Sequence, residues 1–261
     1  MGRRAGLKVR ICSAALALFA LVSPGLAVAG TPFSDWAAIV VAGDWRGATG
    51  GPTQAFDNAR RDVARALGDL GFAPDRLRQL SVRPDAEAGG TPPLQATPKS
   101  IYQTLKSVSA GAPGCFVYFT SHGAPQGVVI DDEILPPTLL GLMLDNTCGA
   151  KPTVVVISAC FSGVFVPALA KPNRMILTAA RPDRTSFGCG ESNRYPFFDE
   201  CFLGAIDDSG DFTGLAAQVR RCVADKERAE GLTPPSEPQL WIGPLLRPVL
   251  PLYAFAPAAS P

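Results

Sequence analysis

Three uninterrupted apolar runs of strand length govern what this chain can fold into: Cys115-Phe116-Val117-Tyr118-Phe119-Thr120, Thr153-Val154-Val155-Val156-Ile157 and Arg174-Met175-Ile176-Leu177-Thr178-Ala179-Ala180. A strand with one wet face alternates apolar and polar residues. These runs do not alternate, so both of their faces need cover, as in a mostly parallel sheet with helices packed on either side. Each run stops abruptly in small or polar residues. The first passes into Ser121-His122-Gly123, the second into Ser158-Ala159-Cys160-Phe161-Ser162-Gly163 and the third into Arg181-Pro182-Asp183-Arg184-Thr185-Ser186.

The rest of the chain supplies the layers. Ala37–Gly43 reads as a further buried strand, followed by a Gly-rich loop over 47–53. Thr53 is placed to cap a helix carrying Phe56, Ala59, Val63, Leu67 and Leu70 on one face and ending at Gly71. Its other face, with Arg60, Arg61, Asp62 and Arg65, is expected in solvent. A weaker strand is expected over Leu77–Val82, an exposed loop over Arg83–Thr97 and a short helix over Pro98–Val108. A small hairpin over Gly127–Leu135 turns at Asp131-Asp132 and a helix covers Pro137–Leu144. Later helices fall at Pro196–Ile206 and Thr213–Glu230, and Pro238–Ile242 is a last strand. With 26 Gly and 25 Pro dispersed, 47% hydrophobic and 18% charged residues, the 261-residue chain is neither collagen-like, coiled-coil nor disordered.

Residues 1–29 read as a leader: basic to Arg10, apolar over Ile11–Val22, and closing in Ala27-Val28-Ala29, with cleavage expected after Ala29. The apolar run of about a dozen residues is short for a span of roughly 20, so export to the periplasm or the medium is expected, with an uncleaved anchor as the alternative. Residues 30–243 then form the folded domain and 244–261 a Pro-rich tail. Without the leader's Arg3, Arg4, Lys8 and Arg10, the chain's 24 basic residues fall to 20 against 23 acidic ones. That balance argues against a nucleic-acid partner.

In open parallel sheets the working groups stand beyond the carboxyl ends of the strands. His122, the chain's one histidine, and Cys160 both stand there. Neighbouring strands about 4.8 Å apart would bring imidazole and thiol to one rim, the arrangement a thiol nucleophile and its base require. Gly123 has no side chain to obstruct a substrate carbonyl, and its N–H with that of Cys160 could form an oxyanion hole. One histidine and no Cys-x-x-Cys pair disfavour a metal site, and this chemistry needs no cofactor.

These residues resemble the legumain-like (C13) cysteine peptidases of the caspase-like clan. The resemblance is carried by Ile39-Val40-Val41-Ala42-Gly43, Ser121-His122-Gly123, Ser158-Ala159-Cys160-Phe161-Ser162-Gly163, and Thr178-Ala179-Ala180 followed by Thr185-Ser186-Phe187-Gly188-Cys189. It runs from Trp36 to Gly243. It implies a caspase/haemoglobinase-like α/β sandwich and an exported endopeptidase acting on peptides or proteins through an acyl-enzyme. Cys160 would be the nucleophile, His122 the proton carrier, and Gly123 an oxyanion donor. The first specificity pocket would involve Thr53, Ser158, Ser186 and Asp199. Thr53 and Ser158 replace the family's pocket arginine and glutamate, and Gly51 falls where legumain has the asparagine that assists its histidine.

Two rival readings are a transamidase or peptide ligase using the same dyad, and a non-catalytic module that binds protein partners. If Asp199 is the pocket's dominant charge, Lys or Arg before the scissile bond is accepted at least as well as Asn, unless Arg46, Arg181 or Arg184 reaches in. Of the five other cysteines after the leader, Cys115 opens one central strand and Cys148 precedes the next, so both lie at the rim opposite Cys160. They either pair there or stay as two buried small residues.

Overall fold

The computed structural model describes residues 1–3, 31–84 and 92–255. Beyond its first three residues the expected leader lies outside the described residues, as does the end of the chain after Phe255.

A seven-stranded sheet organises the molecule. Its strands are β1 (Ala37–Ala42), β2 (Leu77–Ser81), β3 (Leu94–Gln95), β4 (Cys115–Thr120), β8 (Thr153–Ser158), β9 (Arg174–Thr178) and β10 (Gln239–Ile242). They lie in the order β10-β9-β8-β4-β1-β2-β3, every pairing parallel except β10 against β9. Every residue of β1, β4, β8 and β9 is buried, which is why their sequences do not alternate.

Successive residues of each strand feed two separate cores. Ala38, Val40, Phe116, Tyr118, Val154 and Val156 point to one face. There they meet α1 (Ala55–Asp69), α5 (Phe197–Ile206) and α6 (Phe212–Ala229). Ile39, Val41, Val117, Phe119, Val155 and Ile157 point to the other, against α2 (Pro98–Ser109), α3 (Pro137–Thr147) and the short α4 (Phe165–Leu169). The result is a three-layer α/β sandwich.

After β4 the chain makes a small antiparallel sheet of β5 (Gly123–Ala124), β6 (Gly127–Ile130) and β7 (Glu133–Leu135). The β6–β7 turn places Asp131 at φ 58°, a left-handed conformation that Asp tolerates better than most residues. Val129 N–H donates to the His122 carbonyl and Asp131 N–H to that of Gly43, so this sheet is tied to the carboxyl ends of β4 and β1.

The cysteines Cys115 and Cys148 form a disulfide at the amino-terminal rim, as their positions suggested, and a second joins Cys201 of α5 to Cys222 of α6. Several expectations need correction: strand β3 lies inside the loop expected over Arg83–Thr97, and the N-cap of α1 is Gln54 rather than Thr53. Arg60 and Asp62 are not on a solvated face: Arg60 is 1% exposed, bonded to Asp57 and to Gln79, and Asp62 is buried against Arg65 and Tyr195. An apolar moment locates the face of α1 that meets the sheet, and says nothing of α5 and β2 closing on its flanks. Residues 244–255 do not trail away either. Leu246, Leu250 and Phe255 are buried in the first core, and Tyr253 packs edge-on against Trp36 with ring centroids 4.8 Å apart.

Candidate active site

From β1 the chain steps outward to β2 and β3, then returns to β4 on the other side of β1 and continues to β8 and β9. The direction reverses between β1 and β4, where open parallel sheets form a crevice at the carboxyl ends. His122 lies two residues past β4 and Cys160 two residues past β8. These strands are hydrogen-bonded neighbours in register, Thr120 opposite Ser158. The two ends touch, since any side chain at position 123 would collide with the carbonyl oxygen of Cys160. Glycine is therefore required there for space, and its backbone lies against that of Cys160.

The segment around Cys160 is held in a sharp turn. Phe161, directly after the cysteine, has φ 58°, a left-handed conformation unfavourable for a bulky side chain. Its N–H is anchored on the Arg184 carbonyl at 2.8 Å. Ser162 is buried and its hydroxyl accepts the Ala180 N–H at 3.1 Å, while Gly163 lies so close to Pro182 that a side chain would not fit. Each residue of the Cys-Phe-Ser-Gly stretch thus ties the β8 end to the loop that follows β9. Within that loop Ser186 N–H donates to Cys160 Sγ at 3.2 Å, and the Ser186 hydroxyl lies 3.6 Å from the sulfur. Cys160 itself is half-buried.

His122 is oriented by groups from the β1 side. Its Nε2 lies 2.9 Å from the carbonyl oxygen of Arg46, and Phe56 of α1 packs edge-on against the ring at 5.1 Å between centroids. A carbonyl only accepts, so Nε2 carries the proton and Nδ1 keeps a free lone pair in the neutral ring. The Arg46 carbonyl is aimed by a tight turn: the buried Asp44 carboxylate accepts the N–H groups of Trp45 and Arg46 and the Arg46 Nε, at 2.7, 3.1 and 2.9 Å. The Arg46 guanidinium also reaches Asp132 and the Asp131 carbonyl, and its bonds to the Asp132 and Asp44 carboxylates raise its pKa further above the ordinary range.

The four residues aligned with the specificity pocket fall into three places. Ser186 lies against the thiol. Thr53, buried just before α1, accepts the Ala55 N–H and donates to the Gly190 carbonyl. Ser158 and Asp199 form one buried cluster beneath the rim, in which Asp199 has no exposed surface and its carboxylate accepts from the hydroxyls of Ser158, Tyr118 and Thr120 at 2.7, 2.6 and 3.1 Å. Burial raises its pKa to about 7, the three hydroxyls opposing the rise. None of the three arginines that could have compensated it is bonded there. Arg46 is engaged as described, Arg181 with Asp183 and Glu237, and Arg184 with Asp183.

A strap over residues 188–194 crosses the loop after β1. Ala48 N–H donates to the Cys189 carbonyl, and the Asn58 side-chain amide to that of Arg194. The Glu191 carboxylate accepts the N–H groups of Thr49 and Gly51 and the Thr49 hydroxyl, which hold its pKa below the ordinary value. Cys189 is, with Cys160, one of two free cysteines among the described residues, and burial pushes its thiol up to about 11.

Sequence reasoning did not find Asp44, Phe56, Tyr118 or Thr120. Asp44 sits between Gly43 and Trp45 as an ordinary turn acid, and the signal for the buried pair was only that β4 carries two hydroxyls, Tyr118 and Thr120, on the face that Asp199 of α5 meets. The support for the imidazole is likewise a backbone carbonyl at Arg46 rather than a side chain at position 51, where glycine has none to offer.

Known proteins resemble this chain in fold and in family. The crystal structure of caspase-1 from Spodoptera frugiperda superposes with a TM-score of 0.59 over 81% of this chain and 88% of that one, at 14% identity. The likeness is one of fold, and the α/β sandwich is caspase-like. No curated protein matches the sequence. The model of the peptidase C13 family matches residues 99–231, which hold β4, β8 and the loops that carry His122 and Cys160. This chain belongs to the peptidase C13 family of cysteine peptidases.

Proposed function

We propose that this protein is an exported cysteine endopeptidase in which Cys160 is the nucleophile and His122 its proton carrier. The observation that carries the reading is the Arg46 carbonyl on Nε2, which leaves Nδ1 as the free base of an imidazole whose next residue, Gly123, lies against the Cys160 backbone. Nδ1 takes the Sγ proton as sulfur attacks the scissile carbonyl carbon, and the carbonyl oxygen becomes an oxyanion bonded to the N–H groups of Gly123 and Cys160. Collapse breaks the C–N bond, and the amine leaves with the proton from Nδ1. Water then attacks the thioester, giving a proton to Nδ1, and the acid departs as the sulfur is reprotonated.

The Ser186 N–H, 3.2 Å from Sγ, holds the sulfur in position through this cycle. Ser186 and Thr53 border the first specificity pocket, and the buried Ser158–Asp199 pair supports it from beneath. Export is supported by the two disulfides, which persist in oxidising compartments. Among the described residues no helix is long and apolar enough to cross a membrane.

The test is turnover of an internally quenched peptide library. Cys160→Ala and His122→Ala each lower kcat/KM by about three or more orders of magnitude, the double variant by little more, and none changes the circular dichroism spectrum. A Cys160→Ala protein that keeps its turnover overturns the reading.

A further inference from the structure

The rim holds a positive charge that the reaction above does not use. Arg83, just beyond β2, lays its guanidinium over the ring of Trp45, just beyond β1, with 3.7 Å from Cζ to the ring centroid. Arg46 approaches the same indole at 5.5 Å, but its charge is taken by Asp44 and Asp132. Arg83 is exposed, and among the described residues it makes no ion pair. The turn beneath it is fixed by the Arg83 N–H on the hydroxyl of buried Ser81, at 3.0 Å. Stacking restricts the guanidinium to one plane and leaves its edge donors free, the form in which arginine recognises carboxylates.

Its place on the rim says what would meet it. Along the carboxyl ends the order is β8 with Cys160, β4 with His122, β1 with Trp45 and β2 with Arg83. His122 must protonate the departing amine, so it stands on the leaving-group side of Cys160, and Trp45 and Arg83 lie further along that side. Three strand spacings of about 4.8 Å separate β8 from β2, roughly the span of four extended residues at about 3.4 Å each. We propose that Arg83, stacked on Trp45, is a specificity-determining residue that binds a carboxylate three or four residues after the scissile bond. This inference rests on the Cys160–His122 reading for the direction of the peptide. The carboxylate can belong to an Asp or Glu side chain or to the peptide's own C-terminus.

Binding and turnover separate this inference from that reading. Fluorescein-labelled amidated decapeptides carry Asn or Lys at the fifth position and Glu or Gln at the ninth, with a nine-residue free-acid peptide as the third arm. Anisotropy with the Cys160→Ala protein should give about fivefold tighter binding of the Glu peptide than of the Gln peptide. In Cys160→Ala/Arg83→Gln the ratio falls to about one, and Arg83→Lys restores part of it. In the otherwise native enzyme Arg83→Gln raises KM for the Glu peptide and leaves kcat and the Gln peptide unchanged. Preference for the free acid over both amides identifies the C-terminus as the source. Equal binding of all three peptides, or a Glu preference that survives Arg83→Gln, overturns the inference. Cleavage that persists without Cys160 overturns the dyad reading instead.

Discussion

Asp199 shows how far one residue's chemistry is set by its neighbours. Aligned with a pocket wall, it is in the structure a buried carboxyl shared among three hydroxyls, with no cation bonded to it among the described residues. A folded-state pKa of about 7, above the 3.8 of an unfolded carboxyl, means that the folded protein holds this proton more tightly. The stability from the neutral form is full below about pH 4 and is lost as pH rises through about 7. Denaturation midpoints measured at pH 5 and pH 8 should therefore fall in the native protein, and the fall should shrink in Asp199→Asn. An equal fall in the variant would show that Asp199 is already ionised at pH 5. Thr53 and Ser158 are neutral and the three candidate arginines are bound elsewhere, so none of these five residues supplies Asp199 with a counter-charge.

At the scale of elements, much was legible and the exceptions share a cause. β4 and β8 were readable because burial on both faces leaves an unbroken apolar run, and their ends placed His122 and Cys160 on one rim. The helices followed from periodicity, α3 running three residues past its expected end at Leu144 to Thr147. What stayed hidden depends on contacts between distant segments: the burial of Arg60, the packing of residues 244–255, and the Arg46 carbonyl on His122. The strap over 188–194 is of the same kind. Glu191 holds it through exposed hydrogen bonds, so Glu191→Ala should leave the fold intact. It should speed amide exchange at Thr49 and Gly51 by about five- to tenfold. Exchange unchanged at both amides would mean that the Ala48, Thr53 and Asn58 bonds hold the strap without it. Acid should act like the variant, because the tie is lost as pH falls through the lowered pKa of Glu191.

Across the whole molecule, reinforcement and chemistry occupy opposite rims. The Cys115–Cys148 bridge closes 33 residues of separation at the amino-terminal ends of the strands, contributing about 4 kcal/mol by restricting the unfolded chain. The loops carrying His122, Cys160 and Ser186 all emerge at the carboxyl ends, where the sheet lends rigidity without disulfides. The carbonyl of Arg46 has a consequence at this scale, since it fixes the tautomer of the only imidazole in a 27.3 kDa chain. A long-range nitrogen–proton NMR spectrum of the uniformly labelled protein will contain the ring signals of one histidine, with no assignment problem. In the neutral ring, Nδ1 should resonate as the unprotonated, pyridine-like nitrogen and Nε2 as the protonated one. The reverse pattern would show that the Arg46 contact does not hold in solution. A single pair of nitrogen signals in an otherwise silent window thus becomes a direct gauge of whether each variant or bound peptide leaves the base of the proposed dyad poised.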